Sequence, residues 1–133
     1  MRKFILIAMG GVLGAVARYL IKDAHWLEGT GGIPWDTLII NVSGSFLLAW
    51  LVTFAAGWRN FDEGVKLGIA TGFLGAYTTF STLCKEIVNL LLQGRSLAAA
   101  SYVSLSVALG LSAAWLGAVL AEEILTWGKK QAG

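Results

Sequence analysis

Gly72-Phe73-Leu74-Gly75-Ala76-Tyr77-Thr78-Thr79-Phe80-Ser81-Thr82 sits in the middle of a largely apolar run covering residues 64–93. About thirty residues of unbroken α-helix would extend ~45 Å, well beyond a hydrocarbon core of ~30 Å. An interruption in this stretch removes the mismatch. Gly75 loosens the backbone, Thr78 and Thr79 are β-branched, and the hydroxyls of Ser81 and Thr82 compete for backbone groups. Irregular backbone at membrane depth persists only where it is buried in protein or lines a water-filled cavity, and its freed carbonyls are ready ligands for a cation. The alternative is a tilted, continuous helix whose hydroxyls bond back to their own turn.

Three further apolar runs surround this one, over residues 4–21, 37–58 and 97–127. Each is close to the ~20 residues that cross a bilayer. Hydrophobic residues make up 56% of the chain and charged residues 14%, against roughly 45–50% and about 25% in a soluble domain, so a water-soluble fold would lack a polar coat. The chain reads as an all-α membrane protein, one domain over residues 1–133, with four transmembrane helices of which the third is broken. The first connection, residues 22–36, carries His25, Gly29, Gly31, Gly32 and the only proline, Pro34, and reads as a turn-rich loop. Asp62 is placed to cap the third span. Arg2 and Lys3, ahead of an apolar run ending in Ala15-Val16-Ala17, also fit a secretory leader. The run continues past Arg18 through Ile21 and three more spans follow, which favours the first of four crossings.

Cys84 is the single cysteine, so no internal disulfide forms, and no Cys/His spacing suggests zinc. The ten Lys and Arg are spread over helix ends rather than clustered on a polar domain, which excludes a nucleic-acid partner. Arg2, Lys3, Arg59, Lys66, Lys129 and Lys130 fall on the face of the termini, and Arg18, Lys22, Lys85 and Arg95 near the other. Lys/Arg asymmetry sets orientation, and here it is weak. The count is compatible both with insertion either way round, allowing an antiparallel pair, and with a single orientation. Gly10 and Gly14, Gly68 and Gly72, and Gly110, Ala113, Gly117 and Ala121 form small-residue stripes that let helix backbones approach closely.

Polar residues in mid-membrane usually face a bundle interior, a cavity or a transport path. Span two has Asn41, Ser43 and Ser45, span three has Thr78 to Thr82 and then Lys85, Glu86 and Asn89, and span four has Tyr102 and Ser106. No carboxylate lies deep in spans one, two or four. The available groups are donors, namely the Asn41 amide, the hydroxyls of Thr79, Ser81, Thr82 and Ser106, and the Tyr102 phenol. Donors interleaved with aromatic rings suit an anion, because a ring edge is its electropositive part. Arg18, near a membrane boundary, suits a vestibule that draws anions in, or a side chain that snorkels to headgroups. A proton-coupled exporter of organic cations would need a titrating membrane carboxylate, for which Glu86 is the only candidate. A structural membrane subunit would carry no ion flux at all.

The stretch from Gly72 to Thr82 closely resembles the third-helix signature of the CrcB/Fluc fluoride channels. Asn41 within Thr37-Leu38-Ile39-Ile40-Asn41-Val42-Ser43-Gly44, and Gly10, Gly11 and Gly14 leading to Arg18-Tyr19, extend the resemblance, which covers all four spans. It implies a passive, fluoride-selective channel that lowers toxic cytoplasmic fluoride, with no catalysis. It implies an antiparallel dual-topology homodimer in the bacterial inner membrane, with two pores along the subunit interface. Asn41, Phe80, Ser81, Thr82, Leu83, Tyr102 and Ser106 match pore-lining positions, with Arg18 at the vestibule. The resemblance also implies a central structural Na⁺, held by the backbone carbonyls of Gly75 and Thr78 from both chains and not transported. The sequence departs from the family pattern at Leu83, where a second phenylalanine is common, and at Ala76, where many members have glycine. Leucine lacks the electropositive ring edge.

Overall fold

The computed structural model describes residues 1–24, 32–58 and 60–131. His25, Gly29, Gly31 and Arg59 lie outside the described residues, as does the side chain of Lys129. Four long segments run back and forth. Helix α1 is Arg2–Asp23, α2 is Trp35–Gly57, and α6 is Ser96–Gln131. The third segment comes in pieces: α3 over Glu63–Leu67, a π-helical stretch over Gly68–Leu74, the short α4 over Gly75–Tyr77, and α5 over Phe80–Leu92. Three of these helices, α1, α2 and α6, are long and apolar enough to cross a membrane on their own. The remaining segment is the interrupted one, and none of its pieces is that long. A 36-residue α6 reaches ~54 Å at 1.5 Å per residue, so it outruns the bilayer at the end that carries Glu122 and Glu123.

The spans read from the sequence match these elements to within a few residues, and Asp62 caps α3 as expected, its carboxylate accepting from the Val65 N–H at 2.9 Å. The turn between α5 and α6 follows from glycine chemistry. Gly94 takes φ +73, the left-handed conformation open to a residue without Cβ. Its N–H bonds the Leu91 carbonyl at 3.0 Å while Arg95 N–H bonds Leu90 at 2.9 Å, the paired closure of a Schellman cap.

Helices in lipid gain little from hydrophobic burial against each other, so close backbone packing must hold them. The glycine stripes do this. A Cβ at Gly10 would collide with the Gly68 carbonyl, one at Gly14 with the Phe73 carbonyl, and one at Gly72 with the Ile7 carbonyl. Helix α1 therefore lies parallel to the third crossing at backbone contact, over the stretch where that crossing widens into a π-helix. Gly117 likewise meets the Phe46 carbonyl, and Leu38 packs with Ala99 and Tyr102, so α2 and α6 also run parallel. At the terminal face, Arg2 pairs with Asp62 at 3.1 Å and Lys3 pairs with Glu63. An aromatic ladder of Trp50, Phe54 and Trp58 with Phe61 stands on the same face, ring centroids 5.1–6.3 Å apart, where aromatic belts anchor membrane proteins.

Candidate functional site

The interruption falls at Thr78 and Thr79, within the hydroxyl-rich stretch that singled out this crossing. Thr78 has φ −75, ψ 156 and Thr79 has φ −149, ψ 117, so two extended residues separate α4 from α5. The hydrogen bonds explain how the break is held. In a continuous helix the Thr79 N–H would bond the Gly75 carbonyl and the Thr82 N–H the Thr78 carbonyl. Instead, Thr79 N–H donates to Asn41 Oδ1 at 2.9 Å, and Thr82 N–H donates to Thr79 Oγ1 at 3.2 Å, an N-cap. Asn41 Nδ2 in turn donates to the Thr79 carbonyl at 3.0 Å. The Gly75 and Thr78 carbonyls thereby lose their helical partners. The Thr78 hydroxyl bonds back to the Leu74 carbonyl at 2.9 Å, and the Thr79 hydroxyl donates to Thr82 Oγ1 at 2.9 Å.

A groove of about 280 Å³ opens beside the break, lined by residues that include Asn41, Ser45, Gly75, Thr78, Thr79 and Phe80 and by no charged side chain. Phe80, the first residue of α5, is 77% exposed on the protomer, and Gly75 is exposed as well. The two half-helices aim opposite partial charges at this point: carbonyls at the C-terminal end of α4 and N–H groups at the N-terminal end of α5. The first suits a cation and the second an anion. Among the described residues no group of three or more His, Cys, Asp or Glu is placed to hold a metal ion. The acceptors at the break are neutral carbonyls at the end of a half-helix, the kind of ligand that coordinates Na⁺ at discontinuous membrane helices.

A second polar cluster lies apart from the groove. Tyr102 has no exposed surface, and its hydroxyl donates to Glu86 Oε2 at 2.7 Å. Glu86 Oε1 accepts from Thr37 Oγ1 at 2.8 Å and from Lys22 Nζ at 3.2 Å. Lys22 also pairs with Asp36 at 3.0 Å. Four helices thus meet on one carboxylate, with its side chain 16% exposed. Glu86 is not partnered by the adjacent Lys85, which is exposed. Its position could have been read from spacing: Leu83, Glu86, Ile87 and Leu90 recur at i, i+3, i+4, i+7, the inward stripe of an amphipathic helix. Lys22 and Thr37 carried no such local signal.

The expected site residues therefore fall into separate groups on one protomer. Asn41, Gly75, Thr78 and Phe80 gather at the groove. Ser81 and Thr82 share the Thr79 hydroxyl cap, the Ser81 contact being 3.4 Å. Leu83 packs against the Leu38, Leu90, Ala99 and Tyr102 core. Ser106 bonds back to the Tyr102 carbonyl at 2.7 Å, and Ser45 to the Asn41 carbonyl at 2.8 Å. Arg18 is half-buried on α1, outside the groove lining. Tyr77 is a buried packing residue whose hydroxyl meets Ser43 Oγ at 2.9 Å.

Three apolar helices long enough to cross a membrane, packed with an interrupted fourth segment whose break is uncharged, define a multi-pass membrane protein built around a discontinuous helix. Residues 5–118 match the family described as CrcB-like protein, Camphor Resistance (CrcB). A relative from Carboxydothermus hydrogenoformans named "Fluoride-specific ion channel FluC 2" is 44% identical over 118 residues, covering 89% of this chain and 86% of that protein. A "Fluoride-specific ion channel FluC 2" from Geobacillus kaustophilus is 39% identical, covering 90% and 92%. A "Fluoride-specific ion channel FluC" from Oceanobacillus iheyensis is 36% identical, covering 91% and 92%. The chain belongs to the CrcB family.

Proposed function

We propose that this chain is a fluoride-selective passive ion channel that lowers cytoplasmic fluoride, working as an antiparallel homodimer in the bacterial inner membrane around a central structural Na⁺. The observation that carries this is the break at Thr78 and Thr79, with the Asn41 amide on the lining of its uncharged groove. A pore for a small, strongly hydrated anion must replace water with close donors and leave no room for larger ions. The groove offers the second Nδ2 hydrogen of Asn41, the Phe80 ring edge, and the N-terminal end of α5. Ser81 and Thr82 add hydroxyls on the first turn of α5, while the Ser106 hydroxyl is spent on the Tyr102 carbonyl and Tyr102 holds Glu86. No step requires covalent chemistry, and the names of the relatives describe channels.

Irregular backbone in lipid needs protein around it, yet Gly75 and Phe80 are exposed on the single protomer. A second copy docked at the break supplies that cover. Weak Lys/Arg asymmetry permits the two copies to insert in opposite directions. Their Gly75 and Thr78 carbonyls then face one another and would hold Na⁺, which supplies positive charge to bind the two breaks together. Phe80→Ile in reconstituted vesicles tests the anion path. A branched aliphatic fills volume without a ring quadrupole, so fluoride efflux is expected to fall severely while the dimer still assembles. Normal conduction by this variant would leave Phe80 as packing alone. Tags on the termini test the assembly: both faces of the membrane are expected to report them, and a single face would refute two-way insertion.

A further inference from the structure

We infer that Asn41 is a positioning residue, a latch whose amide holds the third crossing open by standing in for a backbone partner of Thr79. The inference rests on the proposed cation site for one of its two readouts. Thr79 is 7% exposed and extended, so its N–H and C=O both need partners in place of water. One planar side chain supplies both, at 2.9 and 3.0 Å. An amide is the group that can do this, since it carries an acceptor and a donor side by side. Aspartate would accept from the N–H but offer nothing to the carbonyl.

The latch is built on a prepared face. Ser45 Oγ occupies the Asn41 carbonyl at 2.8 Å, and Gly44 leaves room for the Thr78 methyl, where a Cβ would collide. The consequence lies at Gly75. By taking the Thr79 N–H, Asn41 Oδ1 leaves the carbonyl of Gly75, a residue of the groove lining, without its helical partner. With the latch removed, the nearest satisfied arrangement returns Thr79 to helical backbone and its N–H to Gly75. The same side chain therefore governs both the carbonyl on the cation side of the break and a donor on the anion side.

The test uses the purified dimer as wild type, Asn41→Asp and Asn41→Leu, the last having similar shape and no polar atoms. Two properties are measured: the Cα and Cβ chemical shifts of Thr79, which report its backbone conformation, and the rise in Tm when sodium replaces N-methylglucamine. Thr79 is expected to stay extended in wild type and Asn41→Asp, which keeps the N–H bond, and to turn helical in Asn41→Leu. The sodium-dependent rise is expected in the first two and lost in the third. Thr79 still extended in Asn41→Leu, with the sodium response intact, overturns the latch, because the threonines alone would then hold the break. A wild type with extended Thr79 and no sodium response overturns the cation reading instead, and the shifts in the variants then decide the latch by themselves. Asn41→Ala decides the same question if the leucine variant does not assemble.

Discussion

Tyr102→Phe deletes one oxygen from a residue with no exposed surface and leaves the ring in place, so no cavity forms. The lost group is the donor to Glu86 Oε2 at 2.7 Å, the sole partner of that oxygen among the described residues. Thr37 and Lys22 remain on Oε1, so the carboxylate stays paired on one side only. Hydrogen bonds to charged groups contribute about 1.5–3 kcal/mol. Glu86 keeps two other partners on Oε1, which sets the expected loss near the lower end, about 1.5–2 kcal/mol. That is roughly a 10- to 30-fold fall in the folded-to-unfolded ratio. Reversible unfolding of the reconstituted protein measures it, and Thr37→Val, which leaves Lys22 on the same oxygen, is expected to lose less. Combined with Glu86→Gln, Tyr102→Phe is expected to be clearly non-additive, since both act on one network. A Tyr102→Phe protein within about 0.5 kcal/mol of wild type, adding independently to Glu86→Gln, would refute the claim that Tyr102 holds this carboxylate.

Gly14→Leu drives a side chain into the Phe73 backbone and is expected to destabilise by about 1–3 kcal/mol or more, whereas Gly11→Ala, which meets only the Gly72 carbonyl at 4.0 Å, should be close to neutral; thermal unfolding of the pair checks both. Leu83→Phe adds a ring where the family commonly has one, and vesicle efflux is expected to show a working channel; loss of flux would mean that the Leu83 packing against the Tyr102 cluster is needed. The Asp62 carboxyl is held below the ordinary carboxylate range by the Val65 N–H and then by Arg2. Because its folded value is the lower one, its contribution is present above the unfolded pKa and lost as pH falls through the folded value. Tm below about pH 4 should thus drop more steeply for wild type than for Asp62→Asn, a variant that keeps capping ability.

Local features were legible from sequence because their causes are local. The four spans follow from run length, the Asp62 cap from its place before an apolar run, and the break from glycine and hydroxyls within eight residues of one another. The glycine stripes announced close packing, and the structure pairs Gly10 and Gly14 with the π-helical stretch. What stayed hidden depends on contacts between distant segments. Asn41 read as a free donor, because nothing in span two says that its amide meets Thr79, 38 residues away. Glu86 stood out only as a lone carboxylate in span three, because nothing local says that its cation is Lys22, 64 positions away on another helix. The widening over Gly68–Leu74 had no signal beyond two glycines spaced for an ordinary helix.

Fluoride against chloride efflux from liposomes holding the purified chain is the most direct test of the proposed function. Rapid fluoride loss with chloride retained, without need of a proton gradient, is the expected result. Equal passage of both anions, or no flux of either from a correctly assembled dimer, would contradict it.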